Sequence, residues 1–175
     1  QAQPGTLSGN ILFLAALLIA GLVAAVFGIL VGIPSLRLKG DYLAIVTLGF
    51  GEIIRVIIQS MDFLGGARGF TGIPKITNFA WVFCIGAILI FTITNLVRST
   101  YGKGFLAVAD DEISAEAMGI NSTYYKVVAF VTGAFFAGVA GGLYAHFVTY
   151  INPSQFGFVK SIELVVMVIL GGMGN

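Results

Sequence analysis

Residues 11–33 read ILFLAALLIAGLVAAVFGILVGI without a single charge. A bilayer core about 30 Å thick is crossed by about 20 apolar helical residues. In hydrocarbon every backbone polar group must be satisfied within the segment, which leaves a helix as the structure for such a run. Three further runs have similar length: 42–58, 79–97 and 127–151. A fifth, 159–173, is shorter and stops near the end of the sequence, which suggests a piece of a longer chain. The expected fold is all-α, a polytopic transmembrane bundle in one domain spanning 1–175. Composition agrees: 10% of residues are charged, against about 25% in soluble domains.

The breaks between runs carry their own signals. Pro34 is expected to end the first helix and Asp41 to cap the second. Residues 60–78 are glycine-rich and read as a loop, and 152–157, NPSQFG, as another turn. Positive charge orients the chain. With 98–126 and 34–41 inside, that side holds Arg37, Lys39, Arg98, Lys103 and Lys126, against Arg68, Lys75 and Lys160 outside.

Several chemistries are excluded. No G-x-x-x-x-G-K-[ST] phosphate loop exists, since GKGF at 102–105 lacks the spacing. One histidine and one cysteine cannot build the usual metal cluster. No nucleophile–base grouping stands out, and a net charge of +1 gives no reason to expect a nucleic-acid partner. The chain reads as a non-enzyme without a cofactor or metal of its own. Asn121-Ser122-Thr123 matches a glycosylation pattern, but a turn and N-cap before the fourth long helix is the simpler reading.

Against this apolar background, residues 107–130, AVADDEISAEAMGINSTYYKVVAF, stand out as a charged insert. Residues 110–119 read as a short helix with Asp110 as N-cap, Asp111 and Glu112 at the positive end of its dipole, and Gly119 as its stop. Ile113, Ala117 and Ile120 give it one narrow apolar face. Isolated helices need roughly 12–15 residues in water, so this one must dock on its own protein, on the membrane surface or on a partner.

Two other groups call for explanation. Glu52 lies about 15 Å along the second helix, near the bilayer midplane, and Arg55 is on the same face at i+3. They form either a structural ion pair or part of a transport path. Gly49 and Gly51 just before them allow close packing or an unwound step. Ala134, Gly138, Gly142 and His146 share one helix face, most simply a packing seam. His146 sits at the outer interface between Tyr144 and Tyr150. Lys160 and Glu163 are another i, i+3 pair.

The blocks SLRLKGDYLAIVTLGFGEIIRVII (35–58) and ADDEISAEAMGINSTYYKVV through to Asn175 (109–175) resemble the LivM-type permease subunit of branched-chain amino acid ABC importers. The resemblance implies that Glu116, Ala117, Met118, Gly119 and Ile120 belong to a cytoplasmic coupling loop that engages an ATP-binding subunit. It implies a homologous second permease, cytoplasmic ATPase subunits holding ATP and Mg, an external solute-binding protein and an amino acid substrate. It also implies further helices beyond the sequence, and a multi-pass protein of the bacterial or archaeal cytoplasmic membrane. Other neutral amino acids, urea-like amides or sugars remain alternative cargoes. An ion-coupled carrier using Glu52 and His146, and a non-transporting scaffold, are the rival classes.

Overall fold

A computed structural model describes residues 7–38 and 40–172, without the side chains of Leu7, Ser8 and Asp41. It contains α1 (Leu7–Ser35), α2 (Asp41–Ser60), α3 (Phe79–Arg98), α4 (Thr100–Asp110), α5 (Glu112–Ala117), α6 (Ser122–Val148) and α7 (Phe158–Leu170). Two short strands, β1 (Phe70–Thr71) and β2 (Tyr150–Ile151), pair antiparallel. Helices α1, α2, α3 and α6 are each long and apolar enough to cross a membrane.

The helix ends differ from expectation in small, explicable ways. Pro34 does not stop α1, which continues to Ser35. A proline this close to a helix end disturbs only the last turn, where the buried Ser35 hydroxyl bonds the Val31 carbonyl at 2.6 Å. At the start of α2, Gly40 occupies the cap position and Asp41 is the first helical residue. The side chain expected to cap there, and Lys39 in the charge count, lie outside the described residues.

Helices α1 and α6 form the spine. Their seam is made of small residues. A Cβ built on Gly138 would lie 2.5 Å from the Ala20 carbonyl oxygen and 2.6 Å from the Ala24 Cβ. One built on Gly142 would lie 2.7 Å from Leu17, and one on Gly28 would lie 2.7 Å from the Ala134 Cβ. Small residues let helix backbones approach and gain dispersion contacts where lipid offers no hydrophobic drive. Toward the start of α1, Phe13, Leu17, Val139 and Leu143 join Ile76 in a buried cluster, flanked by Trp81, Ile85 and Phe135. Thr77 is buried there and donates its hydroxyl to the Leu143 carbonyl at 3.0 Å.

Most of the remaining apolar surface faces outward. Leu18, Ile19, Leu22, Val26 and Leu30 on α1, with Phe83, Ile88, Ile90 and Phe91 on α3, are exposed in the isolated chain. In water such surface would be a liability; in a bilayer it is the lipid or subunit face.

The loops at this end are tied together. β1 in the 61–78 loop pairs with β2 after α6, Tyr150 donates its hydroxyl to the Arg68 carbonyl at 3.0 Å, and Asn152 reaches the Ala67 carbonyl at 3.3 Å. From β2 the chain turns through a 3-10 segment, Pro153–Phe156. It then comes down beside α2, where Gly157, Phe158 and Ser161 share a cleft with Thr47, Leu48, Gly51 and Glu52. α7 therefore starts level with the middle of α2. Lys160, expected on the outer side, lines a cleft together with Glu52 and Arg55 of α2.

The alternation of helices puts α4, α5 and the 36–40 turn at one end, and the β1–β2 pair at the other. Single cysteines at Ser114 and Ala67, in a Cys84→Ala background, are expected to react with an impermeant thiol reagent from opposite membrane faces. Labelling of both from one face would contradict this topology.

Candidate functional site

The 98–126 insert holds two helices. α4 was not foreseen; its Gly102 and Gly104 give it a packing face. Both glycines are buried, and a Cβ on Gly104 would collide with the Tyr125 ring on α6. Ser99 caps α4, accepting from the Gly102 amide at 3.1 Å. Asp110 is the last residue of α4 and does not cap the next helix.

That role falls to Asp111. Its carboxylate accepts from the Ile113 and Ser114 amides at 2.9 and 3.2 Å, and from the Ser114 hydroxyl at 2.7 Å. The Ser114 hydroxyl first, then the Ser114 and Ile113 amides, hold this carboxyl below its ordinary range. A depressed folded-state pKa means that the cap contributes at any pH above the ordinary carboxylate value and is lost as pH falls through the depressed one. Amide-exchange protection of α5, corrected for intrinsic rates, is therefore expected to stay constant between about pH 5 and 8. Asp111→Ala should lower it throughout that range; a wild-type loss of protection near pH 6 would contradict the assignment.

α5 spans six residues and ends in a Schellman turn. The Ile120 amide bonds the Ala115 carbonyl at 3.0 Å, the Gly119 amide bonds the Glu116 carbonyl at 2.9 Å, and Gly119 has φ +85°. Its own chain holds α5 by one side. Glu112 pairs with Lys126 of α6 at 2.6 Å, Glu116 accepts a hydrogen bond from the buried Ser122 hydroxyl, and Ala115 is buried. Glu116 thus ties the junction with α6. Asn121 caps α6 through the Tyr124 amide at 3.0 Å.

The expected apolar face of Ile113, Ala117 and Ile120 is divided. Ile120 is half-buried, Ala117 is exposed, and Ile113 is 75% exposed, as is Met118 at 83%. The inward contact is made by Ala115 because the two acids flanking it are tied to α6. Ile113 and Met118 are left as apolar side chains at the tip of a polar projection. Lys126 and Ser122 were missed in the sequence because they sit at the start of a long apolar helix and only the fold brings them to α5.

Midway along α2, Arg55 donates to Glu52 at 2.8 Å through Nε. Both are partly exposed to a cleft shared with α7, at 28% and 41%. α2 is helical throughout, and a Cβ on Gly49 or Gly51 would meet nothing within 4 Å. Neither an unwound step nor close packing within this chain explains these glycines; Gly51 instead leaves bare backbone on the cleft wall. His146 faces the Pro74 carbonyl through Nδ1 at 3.0 Å, so Nδ1 carries the proton, and its ring meets Phe13 edge-on. It latches the outer loop to α6. Among the described residues no group of His, Cys, Asp and Glu suits a metal ion.

These features define a multi-pass helical membrane protein with a small anchored helix projecting from one end and a charged cleft within. The chain belongs to the family described as branched-chain amino acid transport system / permease component, whose sequence pattern matches residues 3–175. It is 35% identical to the high-affinity branched-chain amino acid transport system permease protein LivM of Salmonella typhimurium, across 90% of this chain and 45% of that protein. It is 27% identical to a probable LivM of Methanocaldococcus jannaschii, across 96% of this chain and 53% of that one. The permease protein LivH of Salmonella typhimurium is 32% identical across 64% of the chain. The chain spans about half the length of the LivM relatives it matches. No solved structure matches it.

Proposed function

We propose that this chain is part of the permease of an ATP-driven importer for branched-chain amino acids in the cytoplasmic membrane. A second, homologous permease completes the path, cytoplasmic ATPase subunits bind ATP and Mg, and an external solute-binding protein delivers the substrate. The observation that carries this reading is α5: a capped, six-residue helix anchored on one side and offering Ile113 and Met118 on the other. An apolar tip on a charged projection, held by its own chain on one side only, fits a groove in a soluble partner. Closure of the ATPase pair would push α5; its ties to Lys126 and Ser122 would pass that movement to α6, and the close α1–α6 seam would carry it through the bilayer.

The outer loops, knitted by β1 and β2, form the surface for the solute-binding protein. Against an ion-coupled carrier stands the place of His146 near the end of α6, where it holds the Pro74 carbonyl of the neighbouring loop. The test is copurification of the ATPase with the full-length chain, followed by reconstituted uptake of a panel of amino acids. Leucine, isoleucine and valine should be taken up and compete with one another. Recovery of the chain without an ATPase, or uptake restricted to sugars or amides, would overturn the reading.

A further inference from the structure

Two ion pairs face one cleft. Glu52 and Arg55 stand on α2, Lys160 and Glu163 stand on α7, and all four line a space of about 410 Å³ together with Ser154, Gln155 and Phe158. Each pair closes within its own helix, at 2.8 Å in both cases, and among the described residues no ion pair crosses the cleft. If the pairs existed to hold α2 against α7, bonds between the helices would be expected. Instead each pair is neutral by itself and presents one cation and one anion to the space between. The adjoining part of the cleft is lined by Leu48, Gly51, Phe156 and Phe158, and no side chain caps the start of α7.

We propose that this cleft is a station for zwitterionic amino acids on the translocation path. The α-carboxylate would engage Arg55 and Lys160, the α-ammonium Glu52 and Glu163, and the aliphatic side chain the Leu48–Phe156–Phe158 wall. A zwitterion brings one charge of each sign, so it exchanges partners with the resident pairs and leaves the net charge of the site at zero. That is the condition for moving a charged solute through a low-dielectric region at small cost. A ligand with only one of the two charges leaves a resident group without a partner, and so is expected to bind less well. Gly51 supplies the room: its missing side chain opens the wall next to Glu52. This proposal rests on the permease reading above.

The experiment uses the complete importer with the full-length chain in proteoliposomes. Two double variants remove one pair each, Glu52→Leu with Arg55→Met, and Lys160→Met with Glu163→Leu; a third exchanges the signs, Glu52→Arg with Arg55→Glu. Complex recovery, ATP hydrolysis without substrate and leucine uptake are measured. Both removals are expected to assemble and hydrolyse ATP while leucine uptake falls by about tenfold or more, as for lost charge-assisted hydrogen bonds. The sign exchange should retain more uptake than either. Wild-type uptake in both removals would show the pairs to be structural only, since an apolar replacement of a structural pair is tolerated.

A probe that leaves the charges in place covers failure to assemble. In Leu48→Cys with Cys84→Ala, leucine supplied during turnover should slow thiol modification, and leucinamide should not. Absence of protection by leucine would overturn the proposal. A wild-type importer that takes up no leucine would instead overturn the permease reading.

Discussion

Gly119→Val is expected to abolish ATP-driven uptake while the chain still inserts and still pairs with its permease partner. The reason is conformational. Gly119 has φ +85°, and a Cβ added there meets nothing within 4 Å, so the penalty is one of backbone and not of space. The left-handed region costs an L-residue roughly 1–2 kcal/mol, and a β-branched one fares worse. That amount shifts a local equilibrium by about 5–30-fold, and α5 has only six residues with which to resist. Losing the Schellman turn frees Met118 and tilts Ile113, so the apolar tip no longer fits its groove.

Gly119→Asn should be far milder, because asparagine tolerates this conformation. Glu116→Lys should act in the same direction as valine but less strongly, by breaking the tie to Ser122. ATPase copurification and uptake are read in parallel. Normal recovery and normal uptake in Gly119→Val would reduce this stretch to a surface loop.

Gly138→Leu is expected to prevent the chain from folding at all. At this position the obstacle is space. Even a Cβ would lie 2.5 Å from the Ala20 carbonyl oxygen and 3.0 Å from the Gly21 Cα, so the backbone itself must move. Overpacking of a tight core typically costs about 1–3 kcal/mol, and more where the neighbour is rigid. The whole seam shares the displacement, since Gly28, Gly142 and Gly21 are spaced for the same separation. Gly138→Ala should already lower recovery. Gly141→Leu is the control: it is on the same helix, yet its added Cβ meets nothing within 4 Å. Size-exclusion profiles and thermal stability in detergent distinguish them. A Gly138→Leu chain as stable as Gly141→Leu would show that α1 and α6 do not meet as described.

The two predictions draw on parts of the molecule that were unequally visible in the sequence. The seam could be read because helical geometry alone puts Ala134, Gly138 and Gly142 on one face. What it met could not be read, since Ala20, Ala24 and Gly28 lie a hundred residues away. The spans followed from length and charge. The insert was visible as a charged interruption, but its division was not: adjacent Asp110 and Asp111 are equally good caps on paper, and only α4's extent assigns the cap to Asp111. α4 itself was not foreseen, because what its Gly104 admits, the Tyr125 ring of α6, lies on another helix. The cleft was hidden for a different reason. Each ion pair is legible from its i, i+3 spacing, but their meeting depends on the return of the chain after β2 to the level of Glu52, which no local pattern specifies.

The coupling proposed for this chain is that ATP hydrolysis moves it through α5. It is tested most directly by leucine uptake into proteoliposomes holding the complete importer and its solute-binding protein, with ATP inside and the proton gradient under separate control. Uptake should cease when ATP is replaced by a non-hydrolysable analogue and persist when an uncoupler collapses the gradient. Uptake that survives loss of hydrolysis, or that stops with the gradient, would contradict it.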